Sequence, residues 1–95
     1  MLCNEGMAGS RRNVIREHEF EEQLAELIPD APEADEFTSA AEYVLADDPT
    51  IGVRVYAGPP EIWTLAMQPV RGRAVAMFYT FDAEAVIFLS ILPFD

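Results

Sequence analysis

Apolar positions along this chain change period at about residue 50. From His18 to Ile28 they recur as Phe20, Leu24, Leu27 and Ile28, a stripe at helical spacing, with glutamates gathered in the first turn where the helix dipole favours them. Pro29 and Pro32 are expected to end that helix, and Asp30 to Asp35 to form a loop. Glu36 to Ala46 resumes the helical pattern, with Phe37, Ala41, Val44 and Leu45 on one face, until Asp47-Asp48-Pro49 closes it. The two segments form an expected antiparallel helical hairpin in which neither helix can bury its stripe alone. The period then becomes two. Ile51, Val53 and Val55 alternate with Gly52, Arg54 and Tyr56; Trp63, Leu65 and Met67 alternate with Thr64 and Ala66. Ala57 to Pro60 and Pro69 to Gly72 read as turns.

The last quarter is the most apolar. Arg73 to Asp82 and Ala85 to Phe94 are long runs of β-branched and aromatic residues, joined by a short polar break, and read as an antiparallel hairpin buried on both faces. In the final run Val86, Phe88 and Leu92 fall on one face by simple alternation, and Ile87, Leu89 and Ile91 on the other. Ser10 to Arg16 is either a short first strand centred on Val14 and Ile15 or the lead-in to the first helix. The predicted architecture is an α+β domain over residues 11–95, in the order (β)ααββββ. A two-helix hairpin packs on one face of an antiparallel four- to five-stranded meander sheet. Residues 1–10 are expected to be a flexible tail, with Met7 as an alternative start to Met1.

Charge alters this picture in one respect. The formal net charge is −11, and all six cations are arginine. Twelve acidic residues and no Arg lie between Glu17 and Asp48, whereas Ile51 to Asp95 holds three Arg (Arg54, Arg71, Arg73) against four acids. The helical half is therefore strongly anionic and the strand half nearly neutral. Such a surface opposes phosphate backbones, so nucleic acid is not an expected partner; a solvated helical face is the plain alternative to attraction of a basic segment. The single cysteine, Cys3, fits a reducing cytoplasmic setting, and no apolar run reaches the roughly 18 residues of a membrane span.

Motifs for chemistry are sparse. His18 is the sole histidine and has glutamates on both sides, which suits a surface residue better than a general base. Asp30, Glu33, Asp35 and Glu36 lack the glycine and spacing of a calcium loop. There is no glycine-rich phosphate loop and no metal-spaced Cys/His set, so neither metal nor cofactor is expected, and an enzyme is the less favoured class. Candidate partner-binding residues are Arg54, Trp63, Arg71, Arg73 and Tyr79. Core packing is the default for the two aromatics. Arg71 and Arg73 flank Gly72 in a turn, and Arg54 would lie beside the Thr64/Ala66 face if that face is open.

The helical segment ending Leu45-Ala-Asp-Asp-Pro49, the strand Ile62 to Met67, the run Arg73 to Asp82 and the run Ala85 to Pro93 occur in an order that resembles the RelE/ParE superfamily of toxin–antitoxin toxins, over residues 13–95. The resemblance implies a cytoplasmic toxin-like module that binds an antitoxin-like peptide or other protein across its sheet and helices. The ribosome-dependent nucleases of that superfamily place cations along the sheet and near the C-terminus. The corresponding positions here are Thr64, Ala66, Gln68 and Val75, then Pro93-Phe94-Asp95, so no catalytic residue carries over and nuclease activity is not expected. The apolar final strand suggests a second possibility, a homodimeric structural or adaptor protein, because one helical layer covers only one sheet face.

Overall fold

Asn13–Arg16 forms a short strand, β1, and a single residue, Glu17, separates it from helix α1, His18–Leu27. The computed structural model describes residues 11–70 and 73–93, with the side chains of 68–70 and 73 excepted. The expected N-terminal tail, 1–10, and Arg71 lie outside the described residues. Helix α2 spans Ala31–Asp47, and a 3₁₀ turn, Pro49–Ile51, leads into β2, Val53–Tyr56. Three nine-residue strands complete the fold: β3, Ile62–Val70; β4, Arg73–Phe81; and β5, Ala85–Pro93.

The α+β order β-α-α-β-β-β-β holds, with one correction to the sheet. Its spatial order is β1-β5-β4-β3-β2, and β1 runs parallel to β5, with Val14 opposite Val86 and Ile15 opposite Ile87. The sheet is thus mixed; only β2 to β5 form the antiparallel meander. Glu17 N–H donates to the Phe88 carbonyl at 3.0 Å, so β1 hands the chain to α1 directly above β5.

A second correction concerns residues 30–35, which are helical from Ala31. The Asp30 carboxylate accepts from Glu33 N–H at 3.0 Å and caps the helix. Pro32 sits in the first turn, where its missing N–H would lack an intrahelical partner anyway, so it starts α2 instead of ending α1. The buried stripe of α2 is accordingly Ala34, Thr38, Ala41 and Leu45. Val44, expected inside, is exposed. Thr38 is tolerated in the core because its hydroxyl donates to the Ala34 carbonyl at 3.0 Å.

One core cluster joins the helices to the sheet. Phe20, Leu24 and Ile28 of α1 and Ala34, Ala41 and Leu45 of α2 meet Val75, Met77 and Tyr79 of β4 and Val86, Phe88 and Ile91 of β5. Leu27, Phe37, Trp63, Leu65 and Met67 pack around it, half-buried. The inward set of β5 does not follow simple alternation. Phe78 pairs with Ser90 but Tyr79 pairs with Phe88, so Leu89 is an extra residue, a β-bulge. Beyond it the faces exchange: Ile91 is buried and Leu92 is 42% exposed, the reverse of the sequence expectation. Gln23 of α1 supports this stretch by accepting from Ile91 N–H at 2.8 Å.

Residue 51 begins no strand. Asp48 accepts from Thr50 N–H at 3.1 Å and from its hydroxyl at 2.6 Å, which winds 49–51 into the 3₁₀ turn. Tyr79 closes on that turn by donating from its hydroxyl to the Pro49 carbonyl at 2.6 Å. Burial pushes the phenol pKa up to about 12, with Asp48 adding to the rise and the Gly52 backbone opposing it. The native state therefore keeps a proton that the unfolded chain, with a tyrosine pKa near 10, has released. Stability is expected to be intact below about pH 10 and to fall between about pH 10 and 12, a loss that Tyr79→Phe should reduce in alkaline denaturation curves.

Candidate functional site

The two faces of the sheet differ sharply in what covers them. On the helix side lie Val14, Leu65, Met67 and the core residues of β4 and β5. The register puts Ile15, Ile87, Thr80, Phe78, Ala76, Ala66, Thr64, Ile62 and Val53 on the other face, and neither helix contributes to it. Leu92 joins them because of the bulge, opposite Ala76. Described strand positions on this face carry no charged side chain. Ile15 and Val53 are 48% and 64% exposed, and Tyr56, paired with Ile62, is 59% exposed. At its described positions the result is a mainly apolar, uncharged platform whose polar groups include the Asn13 amide and the hydroxyls of Thr64, Thr80 and Ser90. The Thr64 hydroxyl oxygen is buried between strands without a hydrogen-bond partner.

Of the candidate residues of the sequence reading, Arg54, Trp63 and Tyr79 do not lie on this platform, and Arg71 is outside the described residues. Thr64 and Ala66 do mark the open face, but Arg54 is paired with Trp63 and points with it to the helix side. Arg54 binds Glu61 at 3.0 Å, while the Trp63 ring packs on Phe81 with centroids 5.4 Å apart. Tyr79 is fully buried, so it holds the 3₁₀ turn and does not meet a partner. Only the backbone of Arg73 is described. The platform was missed as a set because its members are ordinary apolar residues; the signal was their alternation, read together with the shortage of helices to cover both faces.

Cations elsewhere are engaged with the protein itself. Arg11 donates to the Tyr43 carbonyl at 3.0 Å and stacks over its ring, Arg12 donates to the Asp82 carbonyl at 2.6 Å, and Arg16 binds Glu42 at 2.8 Å. These contacts tie β1 to α2 and to the β4–β5 turn. That turn is held by Asp82, whose carboxylate accepts from the backbone N–H of Glu84 and Ala85, and these bonds hold its pKa below the usual carboxylate value. His18 is exposed beside Glu22 at 3.0 Å. Among the described residues no three His, Cys, Asp or Glu side chains are grouped to hold a metal ion, and no helix is long and apolar enough to cross a membrane.

A groove of about 250 Å³ runs between α1 and the end of β5 and is lined by Gln23, Glu26, Leu27, Ile91, Leu92 and Pro93. It brings together no nucleophile and base. No family model, no curated protein and no solved structure matches this chain.

Proposed function

We propose that the chain is a small acidic protein-binding module of the RelE/ParE toxin kind, working in the cytoplasm by protein contact and without nuclease activity. The observation that carries this reading is the open sheet face, which is apolar and free of charge at its described positions. Contiguous apolar surface of this sort marks sites of protein contact. The order β-α-α-β-β-β-β, with helices on one face only, agrees with the layout that the resemblance implies. Against nucleic acid stand the net charge of −11 and the engagement of Arg11, Arg12, Arg16 and Arg54 with carbonyl or carboxylate oxygens. Gripping RNA requires cations free to displace counterions from phosphates.

Two measurements test the two halves of the reading. Anisotropy with mixed RNA should show no salt-dependent binding at physiological ionic strength, and the RNA should stay intact; micromolar binding that weakens as salt rises, or cleavage, would revive the nuclease. Ala66→Arg puts a cation on the open face at an exposed position and should change stability by no more than about 0.5 kcal/mol. It should nevertheless abolish association with whatever protein occupies the face, as seen in purification of the tagged chain from cells and in sedimentation. Identical associations for wild type and variant in both assays would remove this face from any interaction.

A further inference from the structure

We infer that the occupant of the open sheet face is a second copy of this chain, packed sheet to sheet about a two-fold axis. The inference rests on the protein-binding reading above and names its partner. A two-fold interface sets the same patch against itself, so a patch with charges of one sign would oppose like charges. This face avoids that problem: Ile15, Phe78, Ile87 and Leu92 would meet the same apolar set on the partner copy, and no described position brings a charge.

The acidic residues are where such a dimer needs them. All twelve between Glu17 and Asp48 belong to the helices and their flanks, on the far side of the sheet. Facing sheets pack about 10 Å apart and each helix layer adds about 10 Å, so the anionic surfaces of two copies would stand roughly 30 Å apart. That is several Debye lengths at physiological salt, where the length is about 8 Å. A basic partner would instead be drawn to the helices, and an acidic one would be repelled by them.

Size and edge geometry agree. Three strands of nine residues and two of four, at about 3.3 Å per residue and 4.8 Å per strand, give a footprint of roughly 500–700 Å² per copy. Two copies would bury about 1,000–1,400 Å², at the lower end of stable specific interfaces. Edge-to-edge addition is less suited. The edge strand β2 has four residues and a bulge between Arg54 and Tyr56, both of which blunt an edge.

Sedimentation of the purified full chain at micromolar concentration should give twice the 10.6 kDa monomer mass. Ala66→Arg and Leu92→Lys, each setting like charges close together across the interface, should weaken self-association by about a hundredfold or more. If one fails to fold, as judged by circular dichroism, the other still decides. Ala40→Arg, exposed on α2, should leave the dimer intact. Lowering salt to about 0.01 M should weaken the dimer, since the Debye length then grows to about 30 Å, the separation of the acidic surfaces. A dimer that both face variants leave unchanged places the interface elsewhere and overturns the inference. A monomeric wild type also overturns it; the protein-binding reading would then stand or fall separately, on whether the tagged chain holds a different protein that Ala66→Arg releases.

Discussion

Replacing Phe88 with alanine is expected to cost about 3–5 kcal/mol, the range for a buried phenylalanine. Phe88 has no exposed surface, and its ring packs at 5.2 Å, tilted by 57°, on Phe20. It is also the point where three neighbouring elements meet β5: β1 beside it through Arg16, β4 across the ladder through Tyr79, and α1 above. Total stabilities of small domains are about 5–15 kcal/mol, so this truncation should leave the chain partly unfolded at room temperature. Urea melts would show it as a large drop in midpoint with little change in slope. Phe88→Leu should cost clearly less, because most of the volume is kept. A loss below about 1 kcal/mol for Phe88→Ala would mean that α1 does not pack on β5 as described, since no buried phenylalanine in a rigid core is so cheap to remove.

Gly52→Ala should be nearly as damaging, although Gly52 has an ordinary backbone conformation (φ −82°, ψ −160°). What excludes a side chain is space. A Cβ there would run into the Thr64 carbonyl oxygen of β3 and the Tyr79 hydroxyl. Overpacking of this kind costs about 1–3 kcal/mol. Pushing the hydroxyl off the Pro49 carbonyl would leave a buried polar group unpaired, worth about 1–3 kcal/mol more. The two terms can be separated. In a Tyr79→Phe background the hydroxyl is gone and only the clash with the β3 backbone remains, so Gly52→Ala should cost less there than in the wild type. Equal costs in the two backgrounds would show that Tyr79 and Gly52 are uncoupled.

Where local pattern decides structure, the sequence was readable. The switch from helical spacing to alternation near residue 50 placed two helices before four strands, and the stripe Phe20, Leu24, Ile28 is buried. The readings that failed depended on signals that point both ways or on distant partners. Pro32 reads as a terminator, yet Asp30 with Glu33 three residues on is a capping pattern that turns the same proline into a helix start. The direction of β1 depends on which strand it meets some seventy residues later, and nothing within 11–16 specifies that. Tyr79 reads as core by default and as a candidate partner contact; it is core, and what alternation on β4 does not indicate is the mate of its hydroxyl, the Pro49 carbonyl, thirty residues away. The open face was legible only as a shortage of cover, inferred from an apolar last strand and too few helices. Its outline waited on the register.

Leu89 carries a consequence for how this chain can change. The bulge works as a parity switch: upstream of it even-numbered residues of β5 face the helices, downstream odd-numbered ones do. Deleting Leu89 would therefore remove only the residue that the bulge accommodates and leave plain alternation, with Phe88 and Ile91 still toward the helices and Ser90 and Leu92 still on the platform. Flattening the bulge with Leu89 kept would instead send Leu92 toward the core and Ile91 out to the platform, and the Ile91 N–H would lose its link to Gln23. Along β5, then, substitutions between apolar residues are small edits, and the strand holds one residue that it can lose without changing which face each later residue takes. Length variation among related sequences should accordingly be confined to the turns and to the bulge at Leu89.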